Sequence, residues 1–177
     1  GEDVAGLTIR TMVPVSVRRP DQKGTLGNQV SAMFADLPVG VDDPVARLEA
    51  VTAQLQGLKR GGMALGVGSL IGAADFAPPM LVAVGSRVAA RVPQRQVSTV
   101  TTNVPGPQQP LYLLGRELVD MVPYVPLGVE IRISIGIFSY SGRLTFGISA
   151  DYDEVPDVDV LAAGIEASLA ELVAEAG

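Results

Sequence analysis

Apolar and polar positions alternate from Leu7 to Val17. Leu7, Ile9, Val13, Val15 and Val17 fall on one side, and Thr8, Arg10 and Ser16 on the other. A period of two predicts a strand. A polar loop, Arg18 to Gly24, carries Pro20 and Gly24 as breakers. Leu26-Gly27-Asn28 then leads into a second strand, Gln29 to Leu37. The period changes after Asp42-Asp43-Pro44. Val45, Leu48, Val51, Leu55 and Leu58 recur at spacings of three and four, one face of a helix. Asp43 suits the cap and Pro44 the first helical position, where a missing N–H costs nothing. Lys59 and Arg60 sit at the end favoured by cations, and Gly61 stops the helix.

Met63 to Val92 reads as two glycine- and alanine-rich helices split at Ala77-Pro78-Pro79. They are apolar almost all round. Such a pair either packs tightly on a sheet, or one of its helices lines an apolar ligand channel or touches a membrane. Gln96 to Val104 predicts a polar strand that runs into the rigid turn Pro105-Gly106-Pro107. Leu111–Leu114 and Glu117–Val122 read as short strands around Gly115.

A hairpin follows. Val129, Ile131, Ile133, Ile135 and Ile137 alternate on one arm, and Leu144, Phe146 and Ile148 on the other. Ser141-Gly142 is the expected two-residue turn. That turn pairs Gly136 with Gly147 and Arg132 with Asp151. The other face is then Ser134, Gly136, Thr145, Gly147 and Ser149, an expanse of small side chains. Strand glycines mark close approach of another backbone or a ligand, but tight packing of a helix on the sheet is the favoured explanation for this face. A last helix, Asp157 to Ala176, carries the stripe Leu161, Ile165, Leu169, Leu172 and Val173. Helices interleaved with strands and an antiparallel hairpin predict an α/β chain with a mixed β-sheet and packed helices. Residues 1–177 are expected to form a single domain.

Composition narrows the chemistry. Hydrophobic residues make up 47% of the 177 residues and charged residues 18%, enough apolar material for a core. The net charge is −6, which argues against nucleic acid as a partner. There is no cysteine and no histidine. The chain therefore has no thiol nucleophile, no disulfide, no His or Cys metal ligand and no histidine base. A Ser-His-Asp site cannot be built from it alone. No apolar run approaches the roughly 20 residues of a membrane span. The chain enters a strand soon after Gly1, as a piece cut from something longer would. Asp151, Asp153 and Glu154 cluster after the hairpin, where a turn and helix approach explains them better than a metal.

Generic nucleotide and nucleophile motifs are absent. Gly66-Val67-Gly68-Ser69-Leu70-Ile71-Gly72 has the spacing of a loose glycine fingerprint but follows no predicted strand. The string Thr101-Thr102-Asn103-Val104-Pro105-Gly106-Pro107, followed by Leu111-Tyr112-Leu113 and Gly115, resembles the C-terminal half of the bacterial wax ester synthase/diacylglycerol acyltransferase family. Pro14-Val15-Ser16-Val17-Arg18 with Gly24-Thr25-Leu26-Gly27-Asn28 is similar to the start of that half. Ile137 to Gly142 running on to Ala150-Asp151-Tyr152-Asp153 is similar to its close.

The resemblance implies half of a chloramphenicol-acetyltransferase-like, CoA-dependent acyltransferase fold of two domains. It implies acyl transfer from acyl-CoA to a diacylglycerol or fatty alcohol, with acyl-CoA as a substrate and no cofactor. The base would lie in an HHxxxDG motif of an N-terminal half, the expected partner. Thr101, Thr102 and Asn103 stand where that superfamily brings hydroxyl or amide groups toward the oxyanion. Asn103 could instead order the turn after it. Gly115, Gly136 and Gly147 are candidates along a lipid channel. Arg18 and Arg19, with Lys23, and Arg87 and Arg91, with Arg95, are candidates for the phosphates of coenzyme A or for a solvated edge. The protein would be cytoplasmic, with peripheral contact to a membrane or lipid droplet. A competing reading is a lipid-binding, scaffolding or dimerisation module on the same fold, which needs no base. A third is a purely structural half. Mean hydropathy of +0.34 predicts an apolar surface covered by a partner.

Overall fold

The computed structural model describes residues 4–16, 30–60, 97–128 and 130–176. The glycine-rich helix pair expected at 63–92, the polar loop before Gly24 and the candidates Arg18, Arg19, Arg87 and Arg91 lie outside the described residues, as do Lys23 and Arg95.

Strands β1 (Thr8–Ser16) and β2 (Val30–Pro38) pair antiparallel, with Arg10 opposite Asp36. Their side chains meet in a two-pronged ion pair at 2.7 and 3.0 Å. Helix α1 (Pro44–Arg60) follows. Its cap is the expected one: the Ala46 N–H donates to the Asp43 carboxylate at 2.7 Å. Strand β3 (Thr99–Pro105) lies parallel to β1 on one side and parallel to β6 (Ile133–Tyr140) on the other. Strand β7 (Arg143–Ala150) returns antiparallel to β6, and helix α2 (Val158–Ala176) ends the fold. The sheet order β2-β1-β3-β6-β7 is mixed, as the interleaved pattern predicts.

The hairpin has the register read from its turn. Ser141 and Gly142 have φ of 46° and 80°, the two positive values a type I′ turn requires. Gly136 faces Gly147, the Asp151 N–H donates to the Arg132 carbonyl at 2.9 Å, and Arg132 pairs with Asp151 and Glu154. Asp151 also accepts the N–H groups of Asp153 and Glu154, both at 3.1 Å, so this acidic cluster forms the turn into α2.

The register fixes what each face carries. Thr11, Thr99 and Ile133 lie in one row, so Thr101 aligns with Ile135 and Ile148, and Asn103 with Ile137 and Phe146. Helix α2 packs on this face at β7, where Ala162, Ile165 and Leu169 border a cavity together with Leu144, Phe146 and Ile148. Helix α1 packs on β2 and touches α2, on the same side. The end of the α2 stripe departs from expectation: Leu169 and Val173 are 40% and 64% exposed, while Leu172 between them is half-buried.

The opposite face holds Met12, Val100, Ser134, Gly136 and Gly147. What covers the glycines is irregular chain, not the helix favoured by small-residue packing. A Cβ on Gly136 would meet Pro123 and Val125 side chains at 3.0 and 3.1 Å, and one on Gly147 would strike the Pro123 carbonyl. Residues 118–128 form no strand, so the strand expected at Glu117–Val122 stops at Glu117.

Candidate functional site

Strand β3 presents its polar side chains on two faces. Thr99, Thr101 and Asn103 share the helix-bearing face, and Thr102, opposite Gly136, takes the other. Alternation predicts the pairing of Thr101 with Asn103, and the ladder has it. Thr102 is not brought to them.

The three groups on the shared face differ in what they can still do. The Thr99 hydroxyl donates to the Ile133 carbonyl at 2.9 Å. The Thr101 hydroxyl lies 3.0 Å from that of Thr11, which is 1% exposed and also reaches the Thr99 carbonyl at 3.2 Å. Asn103 is exposed, and its amide makes no hydrogen bond among the described residues. The turn after it is ordered by other groups. The Gly106 N–H donates to the Ser139 carbonyl at 2.9 Å, and Gln108 donates to the Gly106 carbonyl at 3.0 Å and the Ser139 hydroxyl at 3.2 Å. Gln108 also accepts the Gly142 N–H at 3.2 Å, joining the turn to the hairpin tip. Gly106 is required because a Cβ there would enter the Phe138 ring. So none of the described residues takes up the amide of Asn103.

Gly115 lies in a second, smaller hairpin, β4 (Tyr112–Leu113) with β5 (Arg116–Glu117). Leu114 and Gly115 form its turn at φ of 51° and 76°. Glycine is needed there for its backbone alone, since nothing lies within 4 Å of a Cβ at that position. The hairpin is markedly apolar and exposed: Leu113 is 75% and Leu114 96% exposed, with Tyr112, Val119, Val122 and Tyr124 open around them. Together they make an exposed apolar patch.

The residue that anchors the hairpin was not singled out from sequence. Tyr140, 2% exposed at the end of β6, accepts the Leu111 N–H at 2.7 Å and donates to the Leu118 carbonyl at 2.9 Å. Its signal was a tyrosine beside a tight turn, which is legible only once the partner backbone is in place. Asp120 forms the next anchor, accepting the Thr145 hydroxyl and the Met121 N–H, both at 2.7 Å. The Thr145 bond, more than the Met121 N–H, holds its carboxyl below the ordinary carboxylate range.

A cavity of about 320 Å³ opens between β7 and α2, lined by Phe146, Ile148, Ile165 and Leu169 with Asp120 and Glu166 at its edge. It takes in neither Thr101 nor Asn103. Among the described residues no cluster of carboxylates could hold a metal ion, and no helix is long and apolar enough to cross a membrane.

Three comparisons bear on this arrangement. The family model for the WS/DGAT C-terminal domain matches residues 26–173. The protein named probable diacylglycerol O-acyltransferase tgs1 of Mycobacterium tuberculosis is 41% identical over 167 residues, 94% of this chain. Its namesake tgs2 of the same organism is 31% identical over 163 residues, 91% of this chain. The chain spans 36% of the length of each. Among solved structures, the wax ester synthase/diacylglycerol acyltransferase from Marinobacter aquaeolei VT8 superposes with a TM-score of 0.67 at 22% identity. That superposition covers 96% of this chain and 37% of the other. The chain thus shares the fold of part of that structure, as the NVPGP string and its flanks led one to expect.

Proposed function

Since the chain belongs to the WS/DGAT C-terminal domain family, we propose that it is the C-terminal part of an acyl-CoA-dependent O-acyltransferase making triacylglycerol or wax esters. Its likeness along nearly its whole length to proteins named as diacylglycerol O-acyltransferases carries this reading. In the reaction, an acceptor hydroxyl gives its proton to a base and its oxygen attacks the thioester carbonyl. A C–O bond forms, and the tetrahedral oxyanion collapses with cleavage of the C–S bond. The departing thiolate takes the proton and leaves as coenzyme A.

The chain holds no histidine, so a histidine base comes from the HHxxxDG-bearing N-terminal portion. What this chain offers is the donor side. The amide of Asn103 on β3, unpaired among the described residues, suits an oxyanion, which needs preorganised N–H groups where charge develops. The exposed hairpin around Leu113 and Leu114 suits a junction with the N-terminal portion. The lipid acceptor would bring the protein into peripheral contact with a membrane or lipid droplet.

The absence of histidine also suits a lipid-binding or scaffolding module with no chemistry of its own. Thiol release from palmitoyl-CoA with diacylglycerol present separates the two. It is measured on this chain, on an HHxxxDG-bearing N-terminal half, and on both together. Release only from the pair is the expected result. A verified, stable complex that binds both substrates but releases no thiol overturns the acyltransferase reading.

A further inference from the structure

A hydroxyl carries one hydrogen and two lone pairs, and that arithmetic sets the direction of the threonine chain on β3. The Thr99 carbonyl cannot donate, so the bond between it and Thr11 at 3.2 Å uses the Thr11 proton. Thr11 then has only lone pairs left for Thr101, and their 3.0 Å bond must use the Thr101 proton. The reverse assignment would aim two sets of lone pairs at each other between Thr11 and the Thr99 carbonyl. It would do so at a residue 1% exposed, where no water relieves the mismatch. The Thr99 proton is likewise committed, to the Ile133 carbonyl at 2.9 Å. No buried side-chain polar atom is left unpaired among the described residues.

We propose that Thr11 is a positioning residue that takes the Thr101 proton, leaving Asn103 as the one side-chain donor β3 offers on its helix-bearing face. Thr101 then meets a substrate only through lone pairs, which repel an oxyanion. The two candidates separated by one residue are therefore opposite in kind: Asn103 gives hydrogen bonds and Thr101 receives them. The inference rests on the acyltransferase reading and makes a finer claim about its site.

The test uses the full-length enzyme, with palmitoyl-CoA and diacylglycerol, and compares kcat and KM. Asn103→Ala should lower kcat by about 10²-fold, the usual cost of one oxyanion donor. Thr101→Val should lower it at least about tenfold less, because no donor is removed. Thr11→Val frees the Thr101 proton. In the Asn103→Ala background it should restore kcat about fivefold or more as a replacement donor. A merely structural Thr11 would make the double variant worse, and Thr11→Ser, which keeps the hydroxyl, should restore nothing. If Thr101→Val costs as much as Asn103→Ala, the assignment of protons is wrong. A double variant no better than Asn103→Ala, with an unchanged melting temperature, overturns the role of Thr11. If Asn103→Ala itself leaves kcat intact, the reading of β3 as the donor side fails instead, and the two failures are thereby distinguished.

Discussion

Gly147→Ala should be among the most damaging small substitutions in this fold, and Gly136→Ala, directly across the ladder, should be mild. The two glycines face each other, and the Pro123–Val125 segment crosses both. They differ in what a methyl group would meet. At Gly136 the nearest atoms are side-chain carbons of Pro123 and Val125 at 3.0 to 3.3 Å, which need yield only a few tenths of an ångström. At Gly147 the obstacle is backbone: the Pro123 carbonyl oxygen lies in the way and its carbon is 2.9 Å off. Moving it drags the segment that Asp120 pins to Thr145. Overpacking against such a wall costs about 3 kcal/mol, against about 1 kcal/mol at Gly136. For a chain of this size those figures lower the melting temperature by roughly 6–12 °C and 2–4 °C respectively. Gly164→Ala is the control. It sits within α2 with nothing within 4 Å, so the better helix former should raise stability by about 0.5–1 kcal/mol. Thermal unfolding followed by calorimetry or circular dichroism reads all three. Gly136→Ala proving as harmful as Gly147→Ala would refute the reasoning.

Tyr140→Phe strands the Leu111 N–H and Leu118 carbonyl and should cost about 1–3 kcal/mol. The loss should concentrate in the small hairpin, seen as faster amide exchange across 111–118 with the β6–β7 ladder unchanged; uniform loss of protection would contradict the anchoring role. Asp120 titrates below the ordinary carboxylate range, so the stability it lends is full above about pH 4 and is lost as pH falls through its lowered folded value. Thr145→Val removes the main cause, so the melting-temperature gap to the unsubstituted protein should exist at pH 7 and close below about pH 4; a gap independent of pH would count against it.

The strands and helices were legible because each carries its own period. Alternating Ile133, Ile135 and Ile137, the Asp43-Pro44 start of α1 and the Ser141-Gly142 turn are local signals, and each sits where the pattern put it. The turn even set the register, since a two-residue loop leaves one pairing open. The cover over Gly136 and Gly147 was not legible. Irregular chain has no period, and Pro123 carries no mark of the strand it will cross.

The sequence alone determined the family, through the NVPGP string and its flanks in order, and showed that these 177 residues cannot themselves supply a histidine base, since no fold can supply a residue the chain lacks. It also determined that Thr101 and Asn103 share a face, because a pleated strand leaves no alternative. Only the tertiary structure decided what those side chains have left to offer. Hydrogen-bond capacity depends on partners distant in sequence. Thr11, 90 residues before Thr101, commits the Thr101 proton, while Gln108 and Ser139 hold the turn and release Asn103.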